Sequence, residues 1–264
     1  MRPSLIASDL DGTLLGPDGR VSHRSRHALA AAAAAGCHVV AATGRSRHTA
    51  LPKLEGIDTI GWVVCSNGAM IWDRARECIE LHRPIDAALA RSVIADLRAA
   101  IDGVSVGWET VDGYGFDPGF LGHPQSLDEL GLPTNIPEPD GSGSATKLFV
   151  AHPDAKTPDA AMAVLKPALP AGVTGSTSGA AFLELTAAGV DKATTLALLC
   201  ERLGIQADDV MAFGDHLNDL SMLSWAGTGV AMGNAHPDVV AASDHQAPSN
   251  ADNGVAQVIE GLDL

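Results

Sequence analysis

The sequence contains few basic residues. Lys and Arg number 17 against 32 Asp and Glu in 264 residues, so the formal net charge is −15. A groove that binds nucleic acid needs clustered positive charge, and an anionic membrane surface attracts the same residues. No such cluster is visible, so neither nucleic acid nor a membrane is an expected partner. An anionic ligand would need positive charge supplied locally, by a few side chains, helix N-termini or a metal.

Cysteine is also scarce, and long apolar runs are missing. The four cysteines lie far apart in the chain, at Cys37, Cys65, Cys78 and Cys200, without a CxxC or a Cys/His finger spacing. A zinc ribbon and a disulfide scaffold are therefore both disfavoured. No apolar run approaches the roughly 20 residues that a membrane span needs, and Asp9 interrupts the N-terminus before a signal peptide could form. The expected protein is cytoplasmic, with reduced thiols.

Two nucleotide-binding motifs are absent as well. The chain has no GxxxxGK[ST] sequence, which excludes a P-loop. The three glycines within Gly227–Gly233 do not have the GxGxxG spacing and precede no long helix, so a dinucleotide site is not expected.

The first third of the chain alternates between apolar strands and helices. The predicted strands are Leu5–Leu10, Cys37–Ala42 and Trp62–Cys65, and the predicted helices are Ser22–Ala35 and Ser46–Leu54. This alternation is typical of a parallel sheet. Each strand ends in polar, turn-forming residues, and open parallel sheets bind ligands at the carboxyl ends of their strands. A site is therefore expected at that edge.

The alternation of strands and helices stops near residue 71 and resumes after residue 187. Between these points the sequence predicts a hairpin, two helices and several short strands: Ala69–Trp72, Cys78–Leu81, Asp86–Ile101, Val104–Thr110, Gly113–Phe116, Lys147–Ala151, Pro158–Leu169 and Ala181–Thr186. Alternation resumes with helices at Asp191–Leu203 and His216–Trp225, strands at Asp209–Phe213, Gly229–Met232 and Asp244–Gln246, and a final helix from about Asn253. We expect a doubly wound, mostly parallel, Rossmann-like α/β core from residues 1–82 and 188–264, with an α+β domain inserted at 83–187.

Acidic side chains gather at two predicted strand ends. Asp9 and Asp11 follow the first strand, and Asp215 and Asp219 follow a later one. Residues two apart in a strand point the same way, and two like charges about 4 Å apart repel by about 4 kcal/mol at an effective dielectric constant of 20. Such a pair favours a shared proton or a cation, and ligands that are all oxygen favour Mg²⁺.

Two further positions suit an anion. Thr43 and Gly44 follow the second strand, where a hydroxyl group and free backbone N–H groups can hold a phosphoryl oxygen. Lys192 stands in the first turn of a predicted helix, where a cation is unfavourable against the helix dipole unless it serves an anion.

These residues resemble, in order, the four motifs of the haloacid dehalogenase-like hydrolases. The matching segments are Asp9–Thr13, Thr43, Lys192 and 214–219 (GDHLND), and the resemblance covers about 160 residues in the two α/β segments. The insert lies between the second and third motifs, as does the type IIB cap of the Cof-like phosphatases. His216 departs from that pattern, which commonly has a small polar residue or Asn, and could be a tolerated variant or a specificity contact.

The resemblance implies a role for each residue. Asp9 would be the nucleophile and Asp11 the general acid and base. Mg²⁺ would be held by Asp9, the backbone carbonyl of Asp11, and Asp215, with Asp219 acting mainly through water or by orienting its neighbours. The phosphoryl oxygens would be held by Thr43, Gly44, Lys192 and Asn218. Asn67, after the third strand, is equally well interpreted as a site residue or as a turn residue.

The expected function is a Mg²⁺-dependent phosphatase of small phosphorylated metabolites, acting through an aspartyl-phosphate, as a monomer or small homo-oligomer. Two alternatives are a phosphomutase of the same superfamily and a phosphoacceptor signalling module. Within the insert, candidate sugar contacts are Trp108, Glu109, Tyr114, Phe116, His123 and Phe182, although core packing explains the aromatic residues equally well.

Overall fold

The fold is described from a computed structural model that covers residues 2–118, 120, 136–138 and 143–263. The chain forms two compact units. The parallel-sheet unit consists of Met1–Leu81 and Asp191–Leu264, and the antiparallel-sheet unit consists of His82–Val190.

The strands are short. In chain order they are β1 Leu5–Ser8, β2 His38–Ala42, β3 Ile60–Cys65, β4 Met70–Asp73, β5 Cys78–His82, β6 Ser105–Glu109, β7 Tyr114–Phe116, β8 Lys147–Ala151, β9 Val173–Ser176, β10 Leu183–Ala187, β11 Val210–Gly214, β12 Thr228–Ala231 and β13 His245–Gln246. The α-helices of the described residues are α1 His23–Ala34, α2 Arg47–Ala50, α3 Ala87–Ala100, α4 Pro158–Leu165, α5 Lys192–Leu203, α6 Leu220–Trp225, α7 Pro237–Ala241 and α8 Gly254–Glu260.

The parallel-sheet unit is built on an eight-stranded sheet in the order β13-β12-β11-β1-β2-β3-β4-β5. Neighbouring strands from β13 to β3 are parallel, and β4 pairs with β3 in the antiparallel sense. The central strand β1 is apolar and fully buried, as expected for a strand covered on both faces. Its carboxyl end lies between those of β2 and β11, which brings three strand ends to one edge. The expectation of a mostly parallel α/β core is thus confirmed.

The described residues of the antiparallel-sheet unit form a sheet in the order β7-β6-β8-β10-β9, in which neighbouring strands are antiparallel. Alternate residues of these strands point to opposite faces. Val106, Leu148 and Leu185 pack in an apolar core with residues of α3 and α4. Phe149 and Tyr114 belong to a separate aromatic cluster. The unit therefore has a core of its own.

The aromatic residues proposed as sugar contacts are largely packed. Trp108 lies in the helix-covered core and donates its indole N–H to the carbonyl of Ile136 at 3.0 Å. Tyr114, Phe116 and Phe182 join the aromatic cluster. Core packing accounts for these four rings. His123 lies outside the described residues, and Glu109 is treated below.

Several predicted boundaries differ from the observed ones for local reasons. β1 ends at Ser8, because a π turn over Leu10–Leu14 begins directly afterwards. The helix predicted at 46–54 is α2 followed by a 3₁₀ turn at Leu51–Leu54, which contains Pro52. Proline also shortens the helix predicted at 158–169, since α4 ends at Leu165 before a 3₁₀ turn containing Pro167. Strand β9 and helix α7 were not predicted.

Among the described residues, the four cysteines form no disulfide. Among the described helices, none has the length and apolar character required to cross a membrane.

Candidate active site

Asp9 stands at the carboxyl end of the central strand. Its backbone is extended, and its N–H donates to the carbonyl of Phe213 at 3.0 Å, which continues the pairing with β11. The chain then turns sharply: Leu14 N–H donates to the carbonyl of Asp9 and Leu15 N–H to that of Leu10. Gly12 has φ +78° in this turn, a conformation that favours glycine. The Asp9 side chain is thereby fixed at the expected edge of the sheet.

Lys192 connects Asp9, at the end of β1, to Asp219, in the loop that follows β11. Asp191 caps α5 through its side chain and places Lys192 in the first turn. The Nζ of Lys192 donates to Asp9 Oδ1 at 2.7 Å and to Asp219 Oδ1 at 2.6 Å. The lysine side chain is 0% exposed. The two carboxylates raise the pKa of Lys192 despite the opposing effect of its burial, so the lysine carries its charge into the interior.

Asp219 organises the loop that follows β11. Its Oδ1 accepts from Lys192, and its Oδ2 accepts from the backbone N–H groups of Asp215 and His216, each at 3.0 Å. The Asp219 side chain is fully buried. Both of its oxygens are therefore engaged within the protein, an arrangement that suits an orienting role better than a direct metal ligand.

Asp215 is the more accessible carboxylate of the same loop. Its Oδ1 accepts from the hydroxyl of Thr13 at 2.7 Å. Burial, followed by the neighbouring Asp219 carboxylate, raises the pKa of Asp215 to about 6. Gly12 packs so closely that a Cβ at that position would lie 2.2 Å from Asp215 Oδ2.

Asp9, Asp215 and Asp219 form one acidic group, with ligand oxygens within 4.8 Å of one another. Burial raises the pKa of Asp9 well above its usual range, and the charge of Lys192 acts in the opposite direction. Burial and neighbouring carboxylates both favour the neutral form of a carboxyl group, which is why the pKa values of Asp9 and Asp215 are raised. Oxygen donors of this kind and spacing fit a hard divalent cation such as Mg²⁺.

Hydrogen bonds link Thr43 to Asn67 and Asn67 to Asn218. Thr43 is buried at the end of β2, and its carbonyl accepts from the N–H of Asn67 at 3.0 Å. Asn67 has φ +55° in the turn after β3, and its Oδ1 accepts from Asn218 Nδ2 at 3.0 Å. Gly44 is partly buried in the loop that follows Thr43. The turn and site interpretations of Asn67 are therefore compatible.

The side chain of Asp11 does not join the acidic group. Its carboxylate receives both ends of the Arg45 guanidinium, from Nε at 2.6 Å and from Nη2 at 2.7 Å. The sequence argument placed Asp9 and Asp11 on one face of a strand, and this was wrong because the strand ends at Ser8 and the π turn redirects the chain. The predicted use of the Asp11 backbone carbonyl as a ligand stays a prediction.

Sequence reasoning missed three contacts around the turn. The first is the contact of the Arg45 guanidinium with the Asp11 carboxylate. The hydroxyl of Thr13 fixes Asp215, and Asn234 donates from Nδ2 to the carbonyl of Gly12 at 2.8 Å. For Arg45 a signal was available, since it is a basic residue in an acidic chain and directly follows the predicted phosphate-binding residues Thr43 and Gly44.

A family model described as haloacid dehalogenase-like hydrolase matches residues 6–259. The chain belongs to this family. The match spans both segments of the parallel-sheet unit and all of the antiparallel-sheet unit, and it confirms the resemblance drawn from the four motifs.

Individual relatives agree with this assignment. The 5-amino-6-(5-phospho-D-ribitylamino)uracil phosphatase YcsE of Bacillus subtilis is 29% identical over 259 residues, covering 97% of this chain and 94% of the relative. A solved haloacid dehalogenase-like hydrolase from B. subtilis superimposes with a TM-score of 0.83 at 27% identity, covering 98% of this chain and 99% of the other. A sugar phosphatase of subclass IIB shares the fold with a TM-score of 0.81 at 24% identity, covering 97% and 98%.

The protein is thus a haloacid dehalogenase-like hydrolase, and the expectation of an enzyme is confirmed. The alternative of a phosphoacceptor signalling module is set aside, because the family model and the relatives are hydrolases and phosphatases over nearly the whole chain.

Proposed function

We propose that this phosphatase hydrolyses small phosphate monoesters in a Mg²⁺-dependent reaction through an aspartyl-phosphate. The observation that carries the proposal is the buried Asp9–Lys192–Asp219 bridge at the edge of the parallel sheet, with Asp215 beside it. It combines a fixed carboxylate with a buried cation, and phosphoryl transfer depends mainly on such positioning and charge stabilisation.

In the first step, an Asp9 carboxylate oxygen attacks phosphorus. The bond between phosphorus and the ester oxygen breaks, and the leaving oxygen takes a proton from Asp11. The product alcohol departs and Asp9 carries the phosphoryl group. Lys192 donates to Oδ1 of Asp9, which orients the carboxylate for this attack.

In the second step, water attacks the phosphorus of the aspartyl-phosphate. Asp11 accepts the proton of that water, the bond to Asp9 breaks, and inorganic phosphate is released. Asp9 and Asp11 return to their starting forms, so the cycle consumes only water and the ester.

The phosphoryl oxygens are assigned to donors at the start of α5 and in the loops that follow β2 and β11. Thr43, Lys192 and Asn218 supply a hydroxyl, an ammonium and an amide, and Gly44 supplies backbone N–H in the loop after β2. The meeting of Thr43, Asn67 and Asn218 through hydrogen bonds supports this grouping.

The acidic group fits a magnesium ion, because its carboxylate oxygens lie within 4.8 Å of one another. Asp9, Asp215 and the backbone carbonyl of Asp11 would hold it, with Asp219 orienting the loop through its bonds to Asp215 and His216. When bound, the ion would screen the phosphate charge so that an anionic nucleophile can approach.

We assign substrate choice to the inserted segment, residues 83–187, in the role of a cap. The named activity of the YcsE relative is on a ribityl phosphate, which is a polyol phosphate. Sugar and polyol phosphates are therefore the first substrates to test, as monoesters with poor, alkoxide leaving groups.

The test of the nucleophile compares the natural protein with Asp9→Asn in Mg²⁺ and p-nitrophenyl phosphate. The amide is nearly isosteric but cannot form the acyl-phosphate, so kcat should fall by about 10³-fold or more. Asp244→Asn, outside the site, is the control. Substantial residual turnover in a preparation free of deamidation would contradict the assignment.

A phosphate-release assay on hexose and polyol phosphates separates hydrolysis from a mutase reaction. Stoichiometric release of phosphate supports the phosphatase. Conversion of one phosphate isomer into another without release would support the phosphomutase alternative.

A further inference from the structure

The Arg45–Asp11 pair is a contact of the site that the proposed chemistry does not yet use. Arg45 lies two residues beyond Thr43, and its guanidinium approaches both oxygens of the Asp11 carboxylate. The side chains are 26% and 49% exposed, so neither is held by burial. An exposed aspartate is free to rotate unless a partner fixes it, and the two-point contact supplies that partner.

The two-point contact between the Arg45 guanidinium and the Asp11 carboxylate, called the fork below, fixes the plane of the carboxylate. It does not occupy all the lone pairs of the carboxylate oxygens. An ionised carboxylate has about four lone-pair sites, and the two Arg45 N–H groups use one on each oxygen. A second site remains on each oxygen for a proton that moves to the leaving group or from water. Arg45 can therefore orient Asp11 and still leave it able to act.

Arg45 is itself firmly anchored through its main chain. Its N–H donates to the Thr43 hydroxyl at 3.1 Å, and its carbonyl accepts from the N–H of Ser66 at 2.8 Å. These bonds tie its backbone to the loop that holds Thr43 and to the turn that holds Asn67. Since they do not involve the side chain, they persist when the side chain is changed.

We propose that Arg45 is the positioning residue for the general acid and base Asp11. This inference rests on the proposed role of Asp11 and adds to it a specific source of orientation. Without the guanidinium, the carboxylate would sample solvent-facing orientations, and the steps that need its proton would slow. A misplaced catalytic group costs about 10²-fold when the displacement is near 1 Å.

The consequence is selective for leaving groups. A nitrophenolate departs with little protonation, whereas a sugar or polyol alkoxide needs an acid. Arg45→Gln should therefore lower kcat on an alkyl phosphate by about 10- to 100-fold, with a smaller loss on p-nitrophenyl phosphate and little change in KM. The kcat of Arg45→Lys on the alkyl phosphate should lie between those of the natural protein and Arg45→Gln, because an ammonium keeps the positive charge but cannot form the planar two-point contact.

The control is another fork in the same unit. Arg24 contacts Glu260 through Nε at 2.9 Å and Nη2 at 2.6 Å, and neither residue has a catalytic assignment. This pair is also exposed to solvent, at 47% and 40%. Arg24→Gln removes an equivalent surface ion pair, which is worth little to stability. It should leave both substrates unaffected.

The decisive experiment is a double-mutant cycle with Asp11→Asn. If Arg45 acts through Asp11, Arg45→Gln should change the alkyl-phosphate kcat by less than about twofold once Asp11 is replaced, because coupled residues are non-additive. Equal losses in both backgrounds would overturn the proposal. A rise in KM on both substrates would also overturn it, by indicating direct phosphate binding.

The same kinetic measurements distinguish failure of this inference from failure of the proposed function. If the natural protein shows no turnover, or if its turnover persists in Asp9→Asn, the proposed phosphatase chemistry itself is wrong. If that turnover is present but the ratio between the two substrates is unchanged in Arg45→Gln, only the role of Arg45 fails.

Discussion

Each unit contains a buried lysine near two carboxylates, and only one of these clusters resembles a catalytic site. Lys192 of the parallel-sheet unit binds Asp9 and Asp219. Lys147 of the antiparallel-sheet unit donates to Glu184 at 2.5 Å and lies 3.9 Å from Glu109. Both lysines are nearly inaccessible. Burial and pairing therefore do not by themselves identify a catalytic lysine.

The two clusters differ in the structural elements that carry the lysine and its carboxylate partners. Lys147 and Glu109 are direct cross-strand neighbours of β8 and β6, and Glu184 stands on the adjacent strand β10. Their contact follows from regular sheet register. Lys192, Asp9 and Asp219 come from a helix start and two strand ends, where side chains from distant segments converge and a third carboxylate, Asp215, stands close by. Loop convergence at strand ends distinguishes the candidate active site.

The largest effect expected from this comparison is on Lys192. Lys192→Met should lower kcat on p-nitrophenyl phosphate by about 10²–10³-fold, because the variant loses a buried donor to Asp9 that we also propose for the phosphoryl oxygens. Lys147→Met should leave that kcat within about fivefold. Each change strands carboxylates in the interior and should destabilise its unit by about 3–5 kcal/mol.

Denaturant unfolding followed by steady-state kinetics on the folded fraction measures both quantities. Comparable kcat losses in the two variants would contradict the distinction between a catalytic and a sheet-register lysine. A changed preference among sugar and polyol phosphates in Lys147→Met, with p-nitrophenyl phosphate unaffected, would support the cap assignment.

Two tightly packed glycines offer a second contrast. In Gly12→Ala the new Cβ would lie 2.2 Å from Asp215 Oδ2, and φ is +78°. In Gly115→Ala it would lie 2.1 Å from the carbonyl oxygen of Ile136, in the other unit. Overpacking should cost each variant about 1–3 kcal/mol. Only Gly12→Ala should also lower kcat, by about 10- to 100-fold, because it displaces the catalytic turn.

Thermal unfolding and kcat on p-nitrophenyl phosphate check this contrast. If Gly115→Ala lowers kcat of the folded protein as much as Gly12→Ala does, then the kinetic effect follows from general destabilisation and the turn has no special role.

The smallest effect expected is a pH-dependent response of stability to Mg²⁺. Asp215 has its pKa raised to about 6 from an ordinary value of 3.8. The folded, metal-free protein therefore binds more protons than the unfolded chain between these values, and its stability falls as the pH rises through that window. Mg²⁺ would offset this loss by replacing the proton. The rise in Tm on adding Mg²⁺ should be several degrees at about pH 7.5 and smaller at about pH 5.

Asp215→Asn provides the matched measurement, since the amide carries no charge to neutralise. Its metal-free Tm should vary less across the same window, and its response to Mg²⁺ should be weak. An equal Mg²⁺ response of the natural protein at both pH values would contradict the linkage to Asp215.

The sequence alone determined the architecture of the parallel-sheet unit and the identity of most candidate site residues. Apolar strands alternating with helices require a parallel sheet, and a parallel sheet brings its carboxyl ends to one edge. Asp9, Thr43 and Asp215 could be placed together on this ground, because strand alternation and turn residues are local properties. The same local signals failed for β9, whose Val-Thr-Gly-Ser sequence has little apolar character and owes its pairing to β10.

Only the tertiary structure decided which charges meet. Sequence spacing paired Asp9 with Asp11, whereas the fold pairs Asp9 with Lys192, 183 residues away, and Asp11 with Arg45, 34 residues away. Such contacts depend on where a π turn aims a side chain and on which helix start reaches the strand end, and neither is encoded in a local pattern. The physical reason is that two charges pair only when they lie within a few ångströms of each other. For residues far apart in the sequence, that distance is set by the folded structure and not by their spacing along the chain.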